Sequence, residues 1–182
     1  MGRVMADQAF EAVVAAHHAE IHRYLARVTR RPSDADDLSQ ETFLRAFRAY
    51  GTLPPGANVR AWLFTIATNL CRNQWRSEAR RRRAHEVMGS RDEREDGSGP
   101  EGEAVFEQAN IRVTEVVGAL PMKQRLAFTM RKIHELEYAE IGKSLGCSGE
   151  SARAHVFQAL RKIRRALGDL AIAPLEAGEP RA

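Results

Sequence analysis

Near the C-terminal end of this 182-residue chain, Ser151, Arg153, Ala154, His155, Gln158 and Arg161 have the types and spacing to read nucleic acid. If Ser148 to Leu167 is helical, three- and four-residue steps put them on the solvent side, opposite Ala152, Val156, Ala159 or Leu160, and Ile163. Guanidinium groups pair with guanine edges, a glutamine amide matches adenine, and further cations neutralise phosphate. The preceding stretch reads as a short helix around Tyr138 and Ile141, a turn at Leu145-Gly146, and Ser148 as a cap. Short helix, glycine turn and longer basic helix are the order of a helix-turn-helix. The plainer reading is a solvated basic helix in a bundle, and the agreement of turn, short helix and clustered charge argues against it.

No other constellation suggests catalysis. The chain has no Ser/His/Asp order, no phosphate-cradling glycine loop and no paired-carboxylate pattern, so it reads as a non-enzyme without a cofactor. His17, His18 and His22 include an i, i+4 pair, yet no carboxylate or cysteine nearby completes a tetrahedral set, so no metal is expected. Cys71 and Cys147 lie far apart with no CxxC spacing and read as small buried residues in a reducing compartment. Against 24 acidic residues stand 28 Lys and Arg, a net charge of +4, so distribution says more than total. The basic residues cluster at Arg72 to Arg83 and at Arg153 to Arg165. Asp7 and Glu11 interrupt any leader-like start, and no run approaches the roughly 18 apolar residues of a membrane span, so a cytoplasmic protein is expected.

The elements that position these residues all read as helices. Phe10, Val13, Val14, His17, Ile21, Tyr24, Leu25 and Val28 form one amphipathic stripe, closed by Arg31-Pro32. Ser33 is an N-cap candidate for a second helix over about 35–49, with Leu38, Phe43, Leu44 and Phe47 as its expected buried face. Asp34, Asp36, Asp37, Gln40 and Glu41 give it an acidic, hydrogen-bonding side suited to a basic partner. For Asp34 and Asp36, complementing the helix dipole is an equal alternative. After a loop at Gly51 to Ala57 containing Pro54-Pro55, Asn58 is placed to cap a third helix. Its apolar residues Trp62, Leu63, Ile66 and Leu70 are interleaved with Arg60, Asn69, Arg72, Asn73 and Arg76. That polar set suits a single strand held by cations and a base pocket. Trp62, Phe64 and Trp75 are open to two readings, base stacking or core.

From 86 to 107, Asp92, Glu93, Glu95, Asp96, Glu101 and Glu103 accompany Gly97-Ser-Gly-Pro100 with hardly a large apolar residue, the composition of a flexible acidic linker. Beyond it Val105, Ile111, Val113, Val116, Val117 and Leu120 restore a helical pattern that ends at Pro121. A helix of about 122–134 should then turn Leu126, Ala127, Met130 and Ile133 inward. The expected fold is all-α, with two small helical domains at 8–85 and 108–168, a linker between them and a tail at 169–182.

Two N-terminal segments narrow the function. Asp34-Ala-Asp-Asp-Leu-Ser-Gln-Glu-Thr-Phe-Leu-Arg-Ala-Phe47 resembles the polymerase-binding helix of bacterial sigma factors of the extracytoplasmic-function (ECF) group, whose usual form is close to DAEDLVQETFLRAW. Asn58 to Arg76 resembles the helix that follows it in that group. The helix-turn-helix is similar to the group's promoter-reading module, where a tyrosine, an isoleucine and a Leu-Gly turn occur in the order of Tyr138, Ile141 and Leu145-Gly146. The likeness covers about 10–84 and 108–167.

The resemblance implies a chain that binds core RNA polymerase, directs it to promoter DNA and helps to melt it, with an anti-sigma factor as a regulatory partner. It assigns core-polymerase binding to Asp34, Asp36, Asp37, Leu38, Gln40, Glu41 and Phe43. It assigns the upstream melted promoter element to Leu53, Asn58, Arg60, Asn69, Arg72, Asn73 and Arg76, with Asn69 on a base. Ser151, Arg153, Ala154, His155, Gln158 and Arg161 take the distal element. Phe157 and Leu160 depart from the family, which commonly has polar or basic residues there, so base preference does not carry over. Without the Asp34 to Phe47 segment, a conventional helix-turn-helix transcriptional regulator would be an equally good description.

Overall fold

The computed structural model describes residues 2–29, 31–87 and 106–167, and all its regular elements are helical. In chain order they are α1 (Gly2–Val28), α2 (Pro32–Ala49), a 3-10 turn (Tyr50–Thr52), α3 (Val59–Val87), α4 (Phe106–Ala119), α5 (Met122–Lys132), α6 (Tyr138–Leu145) and α7 (Gly149–Leu167). Most of the expected linker and the expected tail lie outside the described residues.

α1, α2 and α3 form the first domain. Phe10, Ile21, Tyr24, Leu25 and Val28 of α1 are buried against α2 and α3, as their spacing requires. α2 begins one residue before the expected cap. Arg31 is extended, as a residue preceding proline prefers, and Pro32, lacking an N–H, fits the first helical turn, so Ser33 does not act as the cap. The buried stripe of α2 is Ala35, Leu38, Ser39, Thr42, Phe43 and Ala46. This corrects the expected phase: Leu44 and Phe47, each one residue and so about 100° past a member of that stripe, are 50% and 47% exposed. Phe47 leans back onto Phe10, with ring centroids 5.4 Å apart. Asn58 caps α3 as expected, its Oδ1 accepting the Ala61 N–H at 3.0 Å.

The second domain packs α5, α6 and α7 around Leu126, Ala127, Met130, Leu136, Ile141, Leu145, Ala152 and Val156. α4 and the turn after it close the far side through Val117 and Leu120 against Ala159, Ile163 and Leu167. Ile133, expected inward, is exposed, because α5 ends at Lys132 and Glu135 takes a left-handed φ of 56° in the turn. His134 occupies the inward position instead.

The two domains share one continuous core. Tyr24 stacks edge-on against Phe64 and His134, and its hydroxyl lies 2.8 Å from Thr68 Oγ1, which in turn donates to Met130 Sδ. α3 lies along α6, with Thr65 and Ser144 hydroxyls 2.9 Å apart. Each large side chain so buried contributes roughly 1.5–3 kcal/mol relative to exposure.

Candidate nucleic-acid interface

The helix-turn-helix is built on local rules. Glu137 and Glu140 form a capping box at the start of α6, and Gly146, at φ 65°, closes its end with an N–H to the Gly142 and Lys143 carbonyls. Gly142 has a second role: a Cβ there would stand 2.7 Å from the Cys147 carbonyl oxygen, so only glycine lets the two helices approach so closely. Ser148 caps α7 as expected, its Oγ accepting the Ser151 N–H at 3.1 Å.

α7 buries Ala152, Val156, Ala159 and Ile163, while Ser151, Arg153, Ala154, Gln158 and Arg161 face solvent. His155 is half-buried; burial first, and Lys123 second, lower its pKa, so it is biased towards the neutral ring. Leu160 packs against the core, whereas Phe157 is 63% exposed in the middle of the reading face. An apolar ring in that position can cover a thymine methyl. Arg161, Lys162 and Arg165 line a shallow cationic concavity farther along the helix.

On α3 the expected strand-capture residues divide into two groups. Asn69, Asn73 and Arg76 lie exposed at helical spacing, and Asn73 and Arg76 continue into a groove lined by Arg80 and Arg83. Leu53 is half-buried just after the 3-10 turn, ahead of Gly56 at φ 78°. Asn58, Arg60 and Arg72 also reach the second domain, Asn58 while remaining exposed. Asn58 Nδ2 donates to Glu140 Oε1 at 2.5 Å. Arg60 donates to both carboxylate oxygens of Glu20, at 2.5 and 3.0 Å, and to the His134 carbonyl. Arg72 is half-buried with Nη1 beside the Gly146 turn.

This seam is electrostatically set. The Arg60 hydrogen bonds lower the Glu20 pKa and Glu20 raises that of Arg60, while burial lowers that of His134 although its Nδ1 lies 3.2 Å from Glu20. Sequence reasoning missed Glu20 and His134, since an acid and a histidine 114 positions apart carry no local signal of pairing. Gln124, hydrogen-bonded to Gln158, was missed for the same reason. Among the aromatics, Phe64 is fully buried, Trp62 packs on the core, and Trp75 lies under the Arg125 guanidinium at 5.0 Å.

α2 presents a different surface. Asp37 and Gln40 are exposed, and Leu44 and Phe47 continue the same side of the helix. Asp34 is half-buried; Asp36 accepts from His22 Nε2 at 2.8 Å, and Glu41 accepts from Arg45 at 2.6 Å. Leu38 and Phe43, expected to join the partner-binding set, are each 8% exposed and hold the helix to its own domain. His17, His18 and His22 join no group of three or more potential metal ligands among the described residues. Burial pushes the Cys71 thiol pKa up to about 12, which leaves it an unreactive core residue. No helix of the described residues is long and apolar enough to cross a membrane.

Comparison with known proteins matches residues 13–81 to sigma-70 region 2 and residues 111–163 to sigma-70 region 4. RNA polymerase sigma factor CarQ of Myxococcus xanthus is 31% identical over 165 residues, covering 91% of this chain and 92% of that protein. The ECF RNA polymerase sigma-E factor of Escherichia coli (strain K12) is 27% identical over 165 residues, covering 86% and 85%. Among solved structures, the sigma factor RpoE in complex with the anti-sigma factor NepR from Bartonella quintana superposes with a TM-score of 0.69 at 20% identity, over 88% of this chain and 97% of that one. CnrH in complex with the cytosolic domain of CnrY gives a TM-score of 0.63 at 24% identity, over 91% and 96%.

Proposed function

The chain belongs to the ECF-type RNA polymerase sigma factors, non-enzymatic proteins that direct polymerase to promoters, and from that premise we propose how its faces divide the work. The first domain docks on core polymerase through the exposed side of α2. Asp37, Gln40 and Glu41 supply charge and hydrogen bonds to a basic surface, with Asp34 and Asp36 at the helix start. Leu44 and Phe47 supply the apolar contact that Leu38 and Phe43, being buried, do not. Asn69, Asn73 and Arg76 hold the melted upstream element, with Leu53 and its loop beside the extruded base. α7 enters the major groove of the distal element, where Arg153, Gln158 and Phe157 meet base edges and Ser151, His155 and Arg161 flank them around the small Ala154.

One observation carries this reading: a single chain presents an acidic and apolar helix face on α2 and a basic helix face on α7. A conventional helix-turn-helix regulator has use only for the second. The protein works in the cytoplasm, where core polymerase is found. An anti-sigma factor is its proposed inhibitor, supported by the complex of the sigma factor RpoE with the anti-sigma factor NepR, whose sigma factor shares this fold.

Reconstituted transcription tests the reading. Core polymerase with this chain should initiate from a restricted subset of a promoter library, and core polymerase alone should not. Charge reversal at Asp37 and Glu41 should weaken core binding with circular dichroism unchanged. Tight duplex binding by the free chain with no initiation on addition of core enzyme would identify a conventional regulator instead.

A further inference from the structure

α5 and α6 hold two of the reading side chains before any DNA arrives. Gln124 on α5 is 9% exposed, and its Nε2 donates to Gln158 Oε1 at 2.7 Å. Its own Oε1 is buried with no hydrogen-bond partner. A half-satisfied buried amide costs stability, and a leucine there would fill similar space without that cost. What the glutamine supplies is its bond to an exposed residue of the reading face. Gln158 keeps both amide protons and one carbonyl lone pair for DNA, but the way its amide faces is set from behind.

Tyr138, the first residue of α6, does the same for Arg153. The Arg153 guanidinium carbon lies 5.1 Å from the centre of the Tyr138 ring, and that of Arg131 lies 4.8 Å from it. Arg131 also donates to the Leu136 carbonyl at 3.0 Å and to Glu137 Oε1 at 3.1 Å, which ties the ring to the α5–α6 turn. A cation over an aromatic face loses less freedom on docking than one swinging in solvent.

We propose that Gln124 and Tyr138 are positioning residues for promoter readout. Gln124 orients the Gln158 amide and Tyr138 orients the Arg153 guanidinium, so preference at two positions of the distal element is decided partly by α5 and α6. The inference rests on α7 being the duplex reader.

The test is initiation by reconstituted holoenzyme, full chain with core polymerase, on promoters randomised across the distal element and counted by transcript sequencing. Gln124→Leu should melt no earlier than the parent and lose about fivefold of preference at the base position that Gln158→Ala affects. Tyr138→Leu should lose about fivefold at the position that Arg153→Ala affects, and Tyr138→Phe should keep it because a phenyl ring still faces the cation. The salt dependence of duplex binding should not change in any of these three, since no phosphate contact is removed. If Tyr138→Leu fails to fold, Arg131→Gln, which frees the ring's anchor, must show the same position-specific loss. Losses spread evenly over all promoters, or falling at positions other than those of Arg153→Ala and Gln158→Ala, would overturn the inference. If Arg153→Ala and Gln158→Ala leave preference intact, the reading of α7 itself is wrong. If those two shift it while Gln124→Leu and Tyr138→Leu do not, the positioning role alone is wrong.

Discussion

On α7, Ser151, Arg153, Ala154 and Arg161 stand in solvent, whereas Arg60 and Arg72 on α3, and Asn58 at its cap, reach the second domain. The two proposed nucleic-acid faces thus differ in how far their side chains are already engaged within the protein. The proposed duplex reader is open to solvent, carried on a helix whose buried face is Ala152, Val156, Ala159 and Ile163. On the proposed reading, Asn58 joins the strand-capture face only by giving up Glu140. Arg60 likewise has to exchange Glu20 and a carbonyl for DNA, while Asn69, Asn73 and Arg76 need no such exchange.

The largest effect expected is on the reader's frame. Gly142→Ala puts a methyl group 2.7 Å from the Cys147 carbonyl oxygen, and backbone cannot swing aside as a side chain can. A loss of about 2–3 kcal/mol follows, seen as an earlier thermal transition together with lost duplex binding. An unchanged melting curve would mean the reader is softer than described.

Next comes the seam. Arg60→Ala leaves the Glu20 carboxylate without its principal partner, a cost of about 1–2 kcal/mol after allowing for partial exposure. Chemical denaturation measures it, and domain separation in small-angle scattering should accompany it. If Arg60→Ala stays compact at full stability, the seam rests on its other contacts, the packing of Tyr24, Phe64 and Met130 first among them.

Acidification probes the same seam more gently. His134 has a folded pKa below its ordinary 6.5, so the unfolded chain binds more protons as pH falls; stability is complete above about 6.5 and is lost going down towards the folded value. Glu20, lowered from 4.5, adds a second loss of the same sign below that pH. Glu20, Arg60 and Arg27 are the charges facing His134. His155 on α7, lowered by burial and then by Lys123, contributes to the first window as well. His134→Gln should therefore remove part of the decline in melting temperature between pH 7 and 5, and identical curves for variant and parent would assign all of it to α7.

The smallest effect on stability belongs to Phe157→Ala. A side chain 63% exposed should change stability by less than about 0.5 kcal/mol, while promoter binding weakens. Weakened folding with binding intact would place Phe157 in packing after all.

Much of this was legible in local pattern. The caps at Asn58 and Ser148, the glycine turn, the buried stripes of α1 and α7 and the family motifs all act within a few residues along the chain. The phase of α2 was misread because Leu44 and Phe47 look as apolar as Leu38 and Phe43. Ala35, Thr42 and Ala46, small enough to let α1 and α3 approach, decide the buried side.

By itself, then, the sequence determined the helices, the two sigma regions and the sign of charge on each face, because periodicity and side-chain chemistry are local properties. Only the tertiary structure decided which members of those faces are available. Asn58 against Glu140, Arg60 against Glu20 and His134, and Gln124 behind Gln158 are pairings across 82, 40, 74 and 34 positions. Such contacts arise from how whole helices pack, and no short-range pattern encodes them.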